Sequence, residues 1–182
     1  NSAELRKNYL NIPANGPLGD DLSRDLIHGY FASVSYMDVL IGELVDALDN
    51  LGLRDNTTIV LWSDHGYFLG EHGFWCKHST FYEAVHVPLI ISSPKFPNNI
   101  PTDSFTELVD IYPTLCELTD LKAPSYLQGQ SLVSVLEDSS IELKKEIYTR
   151  YKQGEAVIDK DYSYTEFVEN GQYLGNMLYD MN

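Results

Sequence analysis

The chain changes from apolar to polar within Thr57-Thr58-Ile59-Val60-Leu61-Trp62-Ser63-Asp64-His65-Gly66. The first six residues are rich in β-branched and aromatic side chains and show no polar alternation. This pattern predicts a strand that is buried on both faces, as in a parallel sheet. Open α/β sheets place their binding sites just beyond the carboxyl ends of their strands. The junction therefore predicts an α/β fold whose functional site begins at Asp64.

The polar sequence that follows the strand is rich in histidine and glycine, and four of the five histidines fall between residues 65 and 86. Asp64 and His65 would face opposite sides of an ideal strand, so they can meet at one ion only if the chain turns at Gly66. An Asp with a His favours Zn²⁺ or another borderline metal, since Ca²⁺ and Mg²⁺ prefer oxygen ligands. Taken alone, the pair is equally compatible with an Asp that caps a turn beside a His with a local hydrogen bond.

The rest of the chain predicts further helices and strands up to residue 140 and then a series of short strands. Apolar residues recur at helical spacing from Leu26 to Leu51, and Gly52 follows, which predicts a long amphipathic helix lying against a sheet. A second buried strand is predicted over 86–91, helices over 110–119 and 131–137, and loops over 1–20 and 98–101. Beyond residue 140, short strands joined by Gly and Asn turns predict a small antiparallel sheet. Their segments are 147–149, 156–158, 162–168 and 173–179.

Composition limits the possible partners. The 182 residues include 27 acidic and 12 basic side chains, for a formal net charge of -15. This balance repels nucleic acid and anionic membranes, and no apolar run is long enough to span a bilayer. Because the chain starts at Asn1 rather than at an initiator Met, we expect it to be a piece of a longer protein.

Several segments together resemble the sulfatases of the alkaline-phosphatase superfamily, and among them the iduronate-2-sulfatases and their bacterial relatives. They are Tyr30–Asp38, Ser63–Lys77, His86–Ile90 and Val109–Leu115, which occur in the family's order. The resemblance implies an alkaline-phosphatase-like sandwich with a mixed, largely parallel sheet. Residues 1–140 would be the C-terminal part of the catalytic domain, and residues 141–182 a small, incomplete antiparallel subdomain.

The resemblance also implies roles for individual residues. Asp64 and His65 would belong to the site of one divalent cation, usually Ca²⁺ in sulfatases, and Lys77 would contact the sulfate group as a catalytic and substrate-binding residue. Tyr67 and His78 lie where substrate-contacting side chains are expected. For the metal, the residue types favour Zn²⁺ and the resemblance favours Ca²⁺. We follow the resemblance, because an upstream pair of Asp residues would make the full shell rich in oxygen.

One departure from the family pattern concerns the nucleophile. Sulfatases use a formylglycine made from the Cys of a Cys-x-Pro-Ser-Arg motif, and neither Cys76 nor Cys116 stands in such a motif. We therefore expect that the upstream N-terminal half of the same protein carries the formylglycine and that this portion is inactive alone.

The expected substrate is a sulfated saccharide of the glycosaminoglycan type with a 2-O-sulfated uronic acid. The expected location is periplasmic or secreted in a bacterium, and lysosomal or secreted in a eukaryote.

Other functions remain open at this stage. A phosphonate or phosphodiester hydrolase of the same superfamily also carries an Asp-His-Gly with a following lysine, and a choline-sulfatase-like enzyme shares much of the loop. A non-catalytic binding module could retain the fold, although intact Asp64, His65 and Lys77 argue against it. The upstream nucleophile motif would discriminate between the enzymes, as would assays with sulfate and phosphate esters.

Overall fold

The computed structural model describes residues 3–96 and 100–182. Its helices are α1 (Ala3–Asn8), α2 (Asp20–Asn50), α3 (Tyr82–Val85), α4 (Ile111–Leu118) and α5 (Val133–Glu137). Its strands are β1 (Ile59–Trp62), β2 (Phe68–Leu69), β3 (Trp75–Cys76), β4 (Leu89–Ser92), β5 (Ile147–Tyr151), β6 (Gly154–Ile158), β7 (Tyr162–Glu169) and β8 (Gln172–Asp180). Asn98 and Asn99, in the predicted loop over 98–101, lie outside the described residues.

Helix α2 forms where the apolar spacing predicts it and ends at the predicted glycine. Gly52 adopts a left-handed φ of 67°, and the amides of Gly52 and Leu53 donate to the carbonyls of Asp49 and Leu48. These two bonds are those of a Schellman motif, which satisfies carbonyls that a helix end leaves unpaired. The predicted contact with a sheet is made with the two-stranded β2–β3 sheet: Leu26 and Ile27 are half-buried against Trp75 and Cys76 of β3, although no residue of α2 is fully buried.

The prediction of a largely parallel sheet is not confirmed. β1 and β4 form a two-stranded antiparallel pair, with Ile59 opposite Ser92 and Trp62 opposite Leu89. Parallel neighbours in a sheet need a crossover, usually through a full helix. The connection from β1 to β4 holds the β2–β3 hairpin and the four-residue α3 but no full helix, and β4 returns antiparallel to β1. The predicted burial is also not observed, since every residue of β1 and β4 is half-buried or exposed in this chain. An apolar run carries no information on strand direction.

The N-terminal loop prediction is wrong in part. Residues 3–8 form α1, and Leu5 on that helix is 1% exposed. Leu5 packs in a core cluster with the two residues of β3, Trp75 and Cys76. This long-range contact stabilises a helix that the surrounding Pro and Gly residues do not indicate.

The predicted C-terminal antiparallel sheet is present. β5 to β8 form a four-stranded meander in sequence order, and each pair is antiparallel. Asn170 and Gly171 join β7 to β8 with φ values of 50° and 79°. Positive φ at both turn residues is the type I′ geometry that suits the twist of a hairpin, and Asn-Gly is its preferred sequence. The domain boundary at residue 140 stays a prediction.

A buried polar network joins the α/β part to this sheet. The Asp110 side chain is fully buried, and its two oxygens accept hydrogen bonds from the backbone amides of Glu107 and Gln130 at 2.8 Å each. Lys144 donates to both Asp110 and Glu107, at 2.6 and 2.5 Å. Glu107 also accepts from the backbone amide of Tyr148 on β5 at 3.1 Å. The network therefore fixes the start of the sheet against the N-terminus of α4.

Within the two described ranges, no helix has the length and apolar composition of a membrane span.

Candidate active site

Asp64 and His65 lie directly beyond the carboxyl end of β1, as predicted. Gly66 holds this turn against the segment that leads to β4. Its amide donates to the Ala84 carbonyl at 2.8 Å, and a Cβ at position 66 would lie 2.1 Å from the Glu83 carbonyl oxygen. Gly66 is therefore required for close backbone approach, since no larger residue fits.

Lys77 contacts His65 although twelve residues separate them. The Lys77 Nζ donates to the His65 Nε2 at 2.5 Å, and the other ring nitrogen, Nδ1, donates to the Gly66 carbonyl at 2.7 Å. Because a carbonyl only accepts, Nδ1 carries the proton and Nε2 keeps a lone pair. The Asp64 Oδ1 lies 3.6 Å from the same Nε2. Three of the predicted site residues thus converge on one point.

The hairpin of β2 and β3 brings Lys77 to this point. Phe68 pairs with Cys76 and Leu69 with Trp75, so the loop folds back on itself immediately before the lysine. Cys76 is 2% exposed and has a left-handed φ of 72°, which is uncommon for a residue other than glycine. The chain changes direction at Cys76, and Lys77 leaves the hairpin half-buried.

The C-terminal sheet supports the other end of the same loop. The rings of His78 and Tyr151 stack with centroids 5.2 Å apart and planes 4° apart. The buried hydroxyls of Thr80 and Thr165 lie 3.0 Å apart. Sequence reasoning predicted His78 but missed Tyr151 and Thr165. No local pattern marks them, because their part in the site depends on how the sheet packs against the loop.

Tyr67, the remaining predicted residue, has its described contacts elsewhere. Its ring stacks on Tyr30 of α2 at 5.2 Å, and its hydroxyl lies 3.1 Å from the Tyr9 hydroxyl. Burial, together with the hydrogen bonds to Tyr9 and Cys76, raises the pKa of Tyr67 far above its ordinary value. The phenol is therefore neutral, and the structure places it against the core cluster rather than in contact with His65 or Lys77.

The donors fit part of a metal shell. Asp64 offers an exposed carboxylate, and the His65 ring is oriented by the bond from Nδ1 to the Gly66 carbonyl, as histidine ligands of metals usually are. Among the described residues, however, no group of three or more His, Cys, Asp or Glu side chains could hold a metal ion. In addition, the His65 Nε2 lone pair is engaged by Lys77. A cation here would need oxygen ligands from beyond this chain.

In the candidate site the Asp64 side chain is 81% exposed and the His65 side chain 31%. A cavity of about 330 Å³ lies on the C-terminal sheet beside Arg150 and Glu155, and one of about 250 Å³ lies beside Leu18 and Trp75. Neither is lined by Asp64, His65 or Lys77.

These features define a class, a mixed α/β chain of the alkaline-phosphatase-like fold with a polar site beyond an apolar strand. The chain belongs to the sulfatase family, whose model matches residues 4–121. A second family model, described as N-sulphoglucosamine sulphohydrolase, C-terminal, matches residues 70–173.

Two relatives show how much of a sulfatase the chain covers. It is 35% identical over 160 residues to a sulfatase of Formosa agariphila, an alignment that covers 87% of this chain and 32% of the relative. It is 41% identical over 134 residues to human iduronate 2-sulfatase, covering 60% of this chain and 24% of the relative. The chain thus spans about a third or less of the length of these relatives.

Solved structures agree on the fold. One, solved in complex with its substrate D-glucosamine-2-N,6-O-disulfate, superposes with a TM-score of 0.75 at 31% identity and covers 98% of this chain and 38% of its own. The phosphonate monoester hydrolase of Silicibacter pomeroyi superposes with a TM-score of 0.85 at 24% identity, covering 94% of this chain and 38% of its own.

Proposed function

We propose that this chain is part of a sulfuric ester hydrolase that removes the 2-O-sulfate from a uronic acid at the end of a sulfated saccharide. The observation that carries the proposal is the convergence of Asp64, His65 and Lys77 beyond β1 in a chain of the sulfatase family. The acidic net charge favours short or terminal substrates over a long sulfated polymer, which it would repel.

Lys77 is the proposed catalytic group of this chain. Its ammonium is a compact charge that can neutralise the sulfuryl oxygens as the ester bond breaks. Lys77 is half-buried, and this strengthens the field of its ammonium, because less water screens it. The proposed substrate contacts are Lys77, His78 and Tyr67. The described contacts of Tyr67 are with Tyr30 and Tyr9.

Asp64 and His65 are the proposed ligands of one divalent cation from this chain. We propose Ca²⁺, because the missing ligands would come from carboxylates of the upstream half and would make the shell rich in oxygen. A bound Ca²⁺ would polarise the sulfate oxygens. His65 would hold the cation through Nε2, the nitrogen that Lys77 contacts in this chain, so binding of the cation would leave the Lys77 ammonium available to the sulfate.

The nucleophile is proposed to come from the upstream N-terminal half of the same protein. Cys76 and Cys116 are 2% and 5% exposed, and neither belongs to a Cys-x-Pro-Ser-Arg motif. A formylglycine would supply the covalent chemistry that divides the reaction into two steps. Such an enzyme would be periplasmic or secreted in a bacterium, or lysosomal or secreted in a eukaryote.

A phosphonate monoester hydrolase is the second candidate, because such an enzyme superposes on 94% of this chain. The full-length protein should be assayed with a 2-O-sulfated uronate disaccharide, 6-O-sulfated glucosamine, choline sulfate and a phenyl phosphonate ester. We expect the highest kcat/KM for the first. Preference for 6-O-sulfated glucosamine or choline sulfate would contradict the substrate and leave the sulfatase proposal standing. Preference for the phosphonate would replace it with the second candidate.

A further inference from the structure

Three side chains from two distant parts of the chain stack beside Lys77. The His78 and Tyr151 rings are nearly parallel, with centroids 5.2 Å apart, and the Lys152 Nζ lies over the Tyr151 ring, 5.2 Å from its centroid. His78 and Lys152 are exposed, whereas Tyr151 is half-buried. We call this group the His78–Tyr151–Lys152 stack.

The stack is held by the hairpin of β5 and β6. Lys152 occupies the turn with a left-handed φ of 51°, directly after Tyr151, which pairs with Gly154. A Cβ at Gly154 would lie 2.8 Å from the Phe167 ring, so only glycine lets the hairpin pack against β7 this closely. The far end of β5 is fixed by the Tyr148 amide, which donates to Glu107. Tyr151 therefore sits on a strand that is anchored at both ends.

The position of the stack relates it to the sulfate site. His78 follows Lys77, a step of about 3.8 Å between Cα atoms, so the stack begins at the residue next to the proposed sulfate-binding lysine. The His78 ring is exposed and the Tyr151 ring half-buried, and the negative face of an aromatic ring attracts the C–H face of a pyranose. The cation above Tyr151 adds a site for negative charge on that sugar.

We infer that the His78–Tyr151–Lys152 stack is a saccharide-binding subsite that takes the ring of the sulfated sugar and an anionic substituent on it. The inference rests on the proposed function and extends it, by placing Tyr151 and Lys152 of the C-terminal sheet in substrate recognition. The anion is either a uronate carboxylate or a second sulfate on a hexosamine, since both present oxygens that an ammonium binds.

The test compares a small substrate with a saccharide in the full-length enzyme. An aryl sulfate reaches the sulfate site without a sugar ring, whereas a sulfated disaccharide needs the subsite. In Tyr151→Ala, the ratio of kcat/KM for the disaccharide to kcat/KM for the aryl sulfate should fall about 10-fold, mainly through KM, because one aromatic contact is lost. Tyr151→Phe keeps the ring and should restore the ratio. Tyr148→Ala, on the exposed side of the same strand, is the matched control and should leave the ratio unchanged.

Lys152→Gln identifies the anion. If the subsite holds a carboxylate, this change lowers kcat/KM for a 2-O-sulfated uronate more than for its carboxyl-reduced analogue. If it holds a second sulfate, the loss is greater for a disulfated than for a monosulfated glucosamine. Equal loss on aryl sulfate and disaccharide in Tyr151→Ala, or no rescue by Tyr151→Phe, would overturn the inference. If the wild-type enzyme cleaves no sulfate ester, that result contradicts the proposed sulfatase function itself, on which the subsite depends.

Discussion

Lys77 is the residue on which the proposed chemistry depends most. If it stabilises charge that develops on the sulfuryl oxygens, Lys77→Ala in the full-length enzyme should lower kcat by about 10²-fold. The melting temperature should change little, since a loop lysine contributes little packing. Steady-state kinetics and thermal unfolding measure the two effects. Lys95→Ala is the control, because Lys95 is also paired, with Asp120 at 2.9 Å, on the surface. An unchanged kcat in Lys77→Ala would show that Lys77 has no catalytic role.

Asp64 supports a second prediction at the same scale. A carboxylate that ligates the cation cannot be replaced by a methyl group, so Asp64→Ala in the full-length protein should lose the bound metal. Elemental analysis of the purified protein measures it. Asp120→Ala is the control, because the Asp120 side chain is 84% exposed and the Asp64 side chain is 81% exposed. This control should keep the bound metal. Retention of one equivalent of metal by Asp64→Ala would show that the ligands lie elsewhere.

The residues of the site differ in how far sequence could predict them. Asp64, His65 and Lys77 could be named from the sequence because each stands at a marked place in a family-like motif, and the structure brings the three side chains together. Their roles stay predictions. The stacking of Tyr151 on His78 could not be predicted, since it depends on a packing contact between distant segments. Gly66 was expected to provide a turn, and the structure adds the reason, which is the approach of the 83–86 backbone.

At the scale of elements, the link between α4 and β5 depends on Lys144. Its side chain is 14% exposed, and burial opposes its charge, yet the hydrogen bonds and charges of Asp110 and Glu107 raise the pKa of Lys144 above its ordinary value. Lys144→Met leaves the Asp110 carboxylate buried without its cation, so we expect the full-length protein to lose about 3 kcal/mol of unfolding free energy. Lys160→Met, at a lysine that is 83% exposed, should change it by less than about 0.5 kcal/mol.

The effect of Lys144 should depend on pH in one direction. A raised folded-state pKa contributes stability that is fully present below the unfolded value, near about 10.4, and is lost as pH rises through the folded value. The gap between wild type and Lys144→Met in urea unfolding should therefore be constant at neutral pH and narrow at strongly alkaline pH. A gap that stays constant into that range would show that Lys144 stabilises the fold by packing alone.

Elements with a clear local period were predictable, and those set by distant contacts were not. α2, α4 and the strands of the C-terminal sheet lie within a few residues of their predicted bounds, because helical spacing and Asn-Gly turns are local signals. α1 and the antiparallel pairing of β1 with β4 depend on what the segments pack against. β1 forms a strand as its apolar run predicts, but neither its burial nor its direction follows the prediction, because both depend on the segments that pack against it.

At the scale of the whole molecule, the chain leaves apolar faces uncovered. The middle of α2 exposes Tyr30, Phe31, Val34, Tyr36, Met37 and Val39, each between 36% and 65%. β1 and β4 form a sheet with Trp62 and Ile90 about half exposed. Exposed apolar side chains in this number mark surfaces that another protein segment covers. We propose that the upstream half of the same protein covers them, since relatives are about three times longer.

The upstream half that we propose to cover these apolar faces is also the proposed source of the nucleophile and of the remaining metal ligands. Purified residues 1–182 should therefore hydrolyse no aryl sulfate and should bind a dye that reports exposed apolar surface. Co-expression with the upstream half should restore turnover and reduce dye binding together, since one contact surface completes both the core and the site. Turnover by residues 1–182 alone would place the nucleophile within this chain and contradict the proposed division. Restored turnover with undiminished dye binding would separate the site from the core and assign the faces on α2 and β1 to another partner.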